Sequence, residues 1–510
     1  MAVDDVVPAR WVKVLDQTRC IGCHACSTAC KSENEVPLGV NRTYVKSVDV
    51  GVFPQVRRAF QVTRCNQCTD APCVAACPTG AMYKRDDGIV DFDKSICIGC
   101  KACMAACPYD AIFINPEDHS AEKCNMCAHR LDVGLEPACV SVCPTEAILV
   151  GDLNDPTSKV ATLINRKPVT VRRPEKETGP GVFYLGAHQA TLDPLAARRP
   201  DGGLYAWATQ GDMSDPQLVP AGSAGHNTSS AAALVSYDVP HRAPWGWEVS
   251  AYTWTKSLGA GMMLVAVALA VLGKLGWQDA TARWVAPLGA VFFLSVTGVL
   301  LIADLKHPMR FYLIFTRHQW RSWLVRGSFV LGGYGAIVGL YFLAAAFDLH
   351  TAQVVTGVIA IPLAVATACY TAFLFAQAKA RDLWQSPLLL PHLAVQAVLA
   401  GAAGLLPFAM LWSGSHVTSD LEVTLAVAAV AHLLLVVGEI TLPHVTAHAH
   451  RASKEMTQGR FARAFWVGFV GVAIAVAAPW IGLAGVAGAL VGLAAYEHAF
   501  VQAGQSVPLA

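Results

Sequence analysis

The chain has 510 residues, 54% of them hydrophobic, with 17 cysteines and a formal net charge of +1. A balance so close to zero excludes the strongly basic footprint of a nucleic-acid-binding protein, and the length allows two or three domains. The averages hide two unlike halves: residues 1–250 are polar and rich in Cys, Pro and Gly, whereas residues 251–510 are long apolar runs with short charged interruptions, the pattern of a membrane bundle carrying a soluble domain.

The first twenty residues, MAVDDVVPARWVKVLDQTRC, hold no apolar run of the kind a signal peptide needs. We therefore expect neither an export signal, twin-arginine signals included, nor a secreted disulfide framework. Sixteen cysteines follow in four groups: Cys20, Cys23, Cys26, Cys30; Cys65, Cys68, Cys73, Cys77; Cys97, Cys100, Cys103, Cys107; and Cys124, Cys127, Cys139, Cys143. The first and third groups read C-x2-C-x2-C-x3-C; the second and fourth widen one gap. Three closely spaced thiolates can wrap an iron–sulfur cube from one tight loop, and the fourth, expected at the start of a helix, commonly serves the other cluster of a two-cluster ferredoxin. Zinc would instead take separate four-ligand sets with longer spacers.

Three groups end in Cys-Pro, and the residues after them repeat: CPTGAMY at 77–83, CPYDAIF at 107–113 and CPTEAIL at 143–149. A small residue and then an apolar pair suits a short strand leaving each cluster loop. The fold class expected for residues 1–190 is thus α+β, a tandem ferredoxin-like iron–sulfur domain. Cys369 lies alone in an apolar run and reads as a small buried thiol.

From 191 to 247 Gly, Pro, Ser and Asp recur without periodicity, so a flexible tether or a partner-binding strap is expected there. Residues 248–510 read as an all-α transmembrane bundle of about eight helices, near 252–273, 284–303, 328–347, 353–376, 391–412, 421–442, 464–480 and 483–502. Trp245, Trp247 and Trp384 suit an interfacial aromatic belt. Basic residues gather in the loops after the second, fourth and sixth spans, among them Lys306, Arg310, Arg381 and Arg451; the opposite side has Lys274 and Arg283. By the positive-inside rule those loops, and with an even number of spans the iron–sulfur domain, face the cytoplasm of a bacterial inner membrane. His392, His432 and His498 make no facing pair at matched depth, so no haem is expected.

The soluble half resembles the four-cluster electron-transfer subunit of the molybdopterin, or dimethyl sulfoxide reductase, family. That family's first group continues Cys-Lys-x-Glu-Asn, as Cys30-Lys31-Ser32-Glu33-Asn34 does here, and the resemblance covers roughly residues 10–190. It implies that fourth ligands are exchanged between groups: Cys20, Cys23, Cys26 with Cys143; Cys124, Cys127, Cys139 with Cys30; Cys65, Cys68, Cys73 with Cys107; and Cys97, Cys100, Cys103 with Cys77. Some relatives place Trp in the third group and hold a [3Fe–4S] cluster; here all four cysteines are present, which implies four [4Fe–4S] clusters.

The membrane half resembles the NrfD, or polysulfide-reductase, type of quinone-binding subunit. The motifs are PWGWEVSAYTWTKSLGAG (244–261), ADLKHPMRF (303–311), in which Lys306 stands for a usual Gly, YTAFLFAQAKARDLWQSPLLLP (370–391), and Glu439 late in the sixth span. A quinone exchanges two electrons and two protons, so its site needs hydrogen-bond donors and a proton route, and ionisable groups at membrane depth mark such routes. The resemblance implies Tyr252, Lys256, Asp304, His307 and Arg310 as quinone-binding candidates, with Asp304 and Arg310 alternatively a structural ion pair. Glu439, His432, Glu497 and His498 are proton-path candidates, each alternatively an interhelical hydrogen bond.

The whole then implies a respiratory-chain electron-transport subunit between a separate molybdopterin catalytic subunit and the menaquinone or ubiquinone pool. This chain would carry no catalytic residues of its own, and a higher oligomer of the complex is allowed. A cytoplasmic face favours sulfite or formate oxidation; polysulfide, tetrathionate, thiosulfate or sulfoxide reduction stays open. The alternatives are a proton-translocating energy-conversion module and a membrane anchor without a quinone site.

Overall fold

The computed structural model describes residues 8–198 and 232–510. Residues 199–231, the middle of the expected linker, lie outside the described residues. The chain folds as an α+β ferredoxin-like region followed by a bundle of long apolar helices.

At the centre of the first region, Trp11–Asp16 runs antiparallel to Ile148–Asp152 and parallel to Val182–Leu185, which pairs onward with Val169–Thr170. Alternation in WVKVLD sends Val12 and Val14 to one face, against Val160, and Leu15 to the other, against Cys26 and Cys139. Lys13 shares that second face. A long hairpin, Thr43–Val52 with Gln55–Arg64, gains Ala233–Tyr237 as a third strand. The end of the expected linker is therefore a sheet strand and not a tether; Ala233 and Val235 bury one face of it, an alternation present in ALVSY.

The cysteine groups fold by shared rules. Each Cys-Pro leads into a strand: Met82–Lys84, Ile112–Ile114 and Ile148–Asp152. Short helices hold the third cysteine of the first three groups: Ala25–Glu33, Pro72–Ala76 and Ala102–Ala106. The fourth cysteine does not start a helix, as the spacing suggests, but ends one. Cys77 and Cys107 cap the C-termini with ψ of 119° and 112°, because the following proline forbids the helical conformation at the residue before it. With Lys31 in place of that proline, the first helix runs on through Cys30 to Glu33.

Seven helices are long and apolar enough to cross a membrane among the described residues: Trp247–Val271, Thr281–Ala303, Trp323–Ala346, His350–Gln377, Leu389–Trp412, Ser415–Thr441 and Leu483–Gly504. We number the first six as spans and call the seventh the last helix. The expected span at 464–480 is shorter. Its helix, Ala462–Ala475, covers about 21 Å at 1.5 Å per residue, short of the hydrocarbon core. The helix breaks there and the backbone restarts as Ala478–Ile481 with proline in its first turn. The first span is the centre of the bundle. A Cβ on Gly261 would stand 1.8 Å from the Ala397 carbonyl oxygen, so small residues let the first and fifth spans meet backbone to backbone.

Both halves share one core. Ala76, Ala102, Ala105 and Ala106 of the cluster helices pack with Trp245, Tyr252, Phe375, Trp384 and Phe500 of the bundle. Trp245 and Trp384, expected in an interfacial belt, are 4% and 1% exposed and stacked with centroids 5.4 Å apart; only Trp247 of the three is exposed. The surface that would have wetted their polar edges is covered by the iron–sulfur half. The loops after the second, fourth and sixth spans all lie on this side. Ser322 donates to the Ala76 carbonyl, Lys176 to Asp382, and Thr446 to Asp382 in turn.

Candidate functional site

The cysteines gather around separate spaces in the structure. Cys77, Cys97, Cys100 and Cys103 line one cavity. Cys20, Cys23, Cys26 and Cys143 line a second, and Cys65, Cys68, Cys73 and Cys107 a third. Cys30 lies among Cys124, Cys127 and Cys139, close enough that their charges act on it. The residues after Cys30 hold this fourth set together. Lys31 Nζ donates to the Pro37 and Val40 carbonyls, Glu33 accepts from Arg130, and Asn34 Nδ2 stands 3.7 Å from Cys30 Sγ and 3.8 Å from Cys127 Sγ.

The donor chemistry fits iron–sulfur cubes. Backbone N–H groups of Met82, Ala121 and Ala147 donate to Cys77, Cys97 and Cys143 sulfurs at 3.2–3.4 Å. Burial pushes the Cys30 and Cys68 thiols up to about 12 and Cys107 to about 11, so these sulfurs need a bound cationic centre to stand as thiolates. Cys139 is the exception. Burial alone would raise it, but Lys13 and Arg64 hold it at about 7, donating to its sulfur at 3.5 and 3.2 Å. Among the described residues no three His, Cys, Asp or Glu side chains close on a single ion.

The four sets differ in exposure. Cys23 is exposed, Cys20 and Cys143 are half-buried, and Ile21 between them is 58% exposed. At the other end, the set around Cys100 abuts the bundle. Trp245 Nε1 donates to the Cys100 carbonyl at 3.2 Å. The 304–310 loop closes over the same cluster loop: Lys101 Nζ pairs with Asp304 at 2.7 Å, the backbone N–H of His307 donates to Ile98, and Arg310 Nη1 donates to the Lys94 and Cys97 carbonyls at 3.0 and 2.9 Å. Gly99, at φ +68°, leaves room for Lys306, whose Cβ would be 2.5 Å from a Cβ there. The alternative pairing of Asp304 with Arg310 is thus not formed; each reaches a different part of the cluster loop. Burial pushes the Asp304 carboxyl up to about 6, against the pull of Lys101.

Deeper in the bundle, Tyr252 is buried and its hydroxyl has no hydrogen-bond partner. Lys256, one turn on, is fully buried and donates to the Ala368 carbonyl and Thr371 hydroxyl at 2.6 and 2.7 Å. Glu497 accepts from Thr253 at 2.7 Å and leaves its other oxygen unpartnered. A second group joins the fifth, sixth and last helices: His432 Nδ1 lies 2.9 Å from His392 Nε2, His392 Nδ1 2.9 Å from Glu439 Oε1, and Tyr496 OH donates to Glu439 Oε2 at 2.6 Å. His498 is not part of it; its ring faces Phe461. His307, with Asp304 and Arg310, sits at the join and not beside Lys256.

The sequence reading took His392 and His432 as no facing pair, whereas they face each other 2.9 Å apart, nitrogen to nitrogen, and it missed Tyr496 as a member of the buried group. The available signal was spacing: Glu439 follows His432 by seven residues, two turns along one helix face. A polar stripe of that kind needs partners from the helices packed against it.

Known proteins cover both halves. Residues 56–153 match the family described as 4Fe-4S dicluster domain, and residues 236–495, half of the chain, match the family described as polysulphide reductase, NrfD. The B subunit of tetrathionate reductase from Salmonella typhimurium is 44% identical over 193 residues, 37% of this chain and 77% of that protein. Arsenate respiratory reductase iron-sulfur subunit ArrB of a Shewanella species is 39% identical over 221 residues, 34% of this chain and 94% of that protein. The B polypeptide of polysulfide reductase from Wolinella succinogenes is 43% identical over 173 residues, 33% of this chain and 91% of that protein.

Proposed function

The chain belongs to the NrfD polysulfide reductase family, here fused to a 4Fe-4S dicluster domain, and from that premise we propose that it links a separate molybdopterin catalytic subunit to membrane quinone. The single observation that carries the reading is the join. The loop from Asp304 to Arg310 and the Trp245 indole hold the cluster loop at Cys97–Lys101 against the head of the first two spans. Four [4Fe–4S] clusters, held as the four thiol sets group them, would supply one-electron carriers from the exposed Cys20–Cys26 end to that join.

The chain's own residues divide the rest of the work. Ile21 and Cys23 at the exposed end offer the catalytic partner its closest approach. Tyr252, Lys256 and Glu497 supply a free hydroxyl, an ammonium and a half-satisfied carboxyl in one buried region, the mixture of donor and proton carrier that a quinone headgroup requires. Asp304 and Arg310 act as positioning residues that clamp the two halves. Relatives named for tetrathionate, arsenate, dimethyl sulfoxide and polysulfide reduction support a partner that acts on a small inorganic or sulfur substrate. The basic loops lie on the iron–sulfur side, which supports a cytoplasmic placement of that half.

The test is quinone reduction by the full chain with a reduced viologen as donor. Turnover that falls about tenfold or more in Lys256→Met, with all clusters still reducible, supports the site. A chain whose clusters reduce but which never turns over quinone would leave only an anchor. Protease cleavage of the 187–247 segment only from the outer face of right-side-out vesicles would reverse the sidedness.

A further inference from the structure

The group around Glu439 is a chain and not a pocket. Outward from Glu439 the sixth span ends two residues on, at Thr441, and the loop beyond it carries His444 and His450, whose ring centres are 6.0 Å apart and of which His450 is exposed on the iron–sulfur side. Inward it runs through His392 to His432, which is fully buried and whose Nε2 has no partner. His432 lies about 10 Å deeper than Glu439 at 1.5 Å per residue. Gln396, one turn deeper than His392 on the fifth helix, is buried with its Oε1 unpartnered; farther toward the opposite face the fifth, sixth and last helices bury Leu399, Leu405, Leu406, Leu421, Leu425 and Leu493.

We infer that Glu439, His392 and His432 form a proton relay that opens only on the face bearing the iron–sulfur half, where the sixth span ends at Thr441. The chemistry follows from imidazole's two nitrogens. A proton passed from Glu439 to His392 Nδ1 releases the one on Nε2 to His432 Nδ1, and His432 in turn releases the proton on Nε2, the atom left without a partner. Tyr496 holds the second Glu439 oxygen and so fixes the carboxyl toward His392. Because Tyr496 and Glu497 are adjacent, the last helix sets this relay beside the Thr253–Glu497 and Lys256 groups. The use of the relay rests on the quinone reading above: each quinone takes two electrons and two protons to become quinol, and both protons come from the iron–sulfur side. The relay is then a one-sided proton inlet and not a transmembrane pump.

The test uses the full chain in sealed liposomes with a pH dye trapped inside, a quinone analogue in the membrane and a membrane-impermeant reduced viologen outside. Only molecules with the iron–sulfur half outward receive electrons. The expected result is one proton lost from the outer medium per electron, with no change in the trapped dye; alkalinisation inside overturns the inference. Glu439→Gln and His392→Gln, both close in shape, should slow turnover tenfold or more and raise the solvent isotope effect, with cluster reduction by viologen unchanged; unaltered turnover overturns it too. An infrared readout stands apart from quinone turnover. A pH jump outside should shift a carboxyl band that Glu439→Gln removes, and His392→Gln should leave that shift in place while turnover falls. A band that ignores the outer pH, or follows the inner pH, contradicts the relay even if quinone turnover is absent; loss of turnover with a responsive band contradicts only the quinone reading.

Discussion

The two halves place buried charge in different company. In the iron–sulfur half two buried cations, Lys13 and Arg64, donate to the Cys139 sulfur, while Lys123 donates to the Val90 and Cys124 carbonyls and Arg42 pairs with Glu122. In the bundle, the buried ionisable groups point at hydroxyls, carbonyls and one another: Lys256 at Thr371, Glu497 at Thr253, and His392 between His432 and Glu439. Cations fixed around thiols suit a bound anionic cluster whose charge changes by one electron. A mixed group that keeps unpartnered polar atoms, on Tyr252, Glu497 and His432, suits protons that arrive and leave. On the reading proposed above, one kind of carrier gives way to the other at the loop between Asp304 and Arg310, which holds the Cys97–Lys101 loop against the bundle.

Removing a thiol breaks the comparison most severely. Cys100→Ser should cost one cluster at the join and lower viologen-to-quinone turnover by about 100-fold or more, with the cluster loss read by electron paramagnetic resonance. Lys256→Met comes next. It removes a cation from the bundle without touching the cluster cages, so turnover should fall about tenfold while the cluster signals keep their potentials. Arg64→Met reverses that pattern: it should shift one cluster to lower potential in a redox titration, because a cation beside Cys139 is lost.

The iron–sulfur half was largely legible because three cysteines of each set lie in one short stretch of sequence with repeated strands behind, while the fourth, such as Cys143 beside Cys20, Cys23 and Cys26, comes from another group. Two details escaped. The proline after Cys77 and Cys107 turns a helix start into a helix end, a backbone effect that ligand spacing does not carry. The strand at Ala233–Tyr237 pairs with a segment more than 180 residues earlier, and composition made its surroundings read as tether. The bundle was legible as helices and not as a site. Glu439 and His432 stand out as polar residues in apolar runs, but the contacts of His392 and Tyr496 depend on which helices neighbour each other. Trp384 looked like a belt residue because nothing in its own loop, between the fourth and fifth spans, shows that another domain covers it.

Two smaller effects sharpen the picture at the join. Asp304→Asn should strand Lys101 in a buried site and cost about 3 kcal/mol, seen as a lower thermal midpoint with the clusters intact. His241 gives a pH signature. Asp238 and Asp110 overcome the effect of burial and raise it from 6.5 to about 9, holding the strap after Ala233–Tyr237 to the cluster domain. The folded pKa exceeds the unfolded one, so the stabilisation is full below pH 6.5 and is lost as pH rises through about 9. Thermal unfolding from pH 6 to 10 should show that loss, and His241→Gln should flatten it.

The most direct test of the link between the halves is electron transfer from reduced viologen to a quinone analogue in the full chain, wild type against Cys100→Ser, with cluster reduction followed in the same samples. The account predicts turnover in the wild type, and in the variant three reducible clusters without turnover. Turnover that persists when the cluster at the join is gone would contradict it, as would a wild type whose four clusters reduce and whose quinone never does.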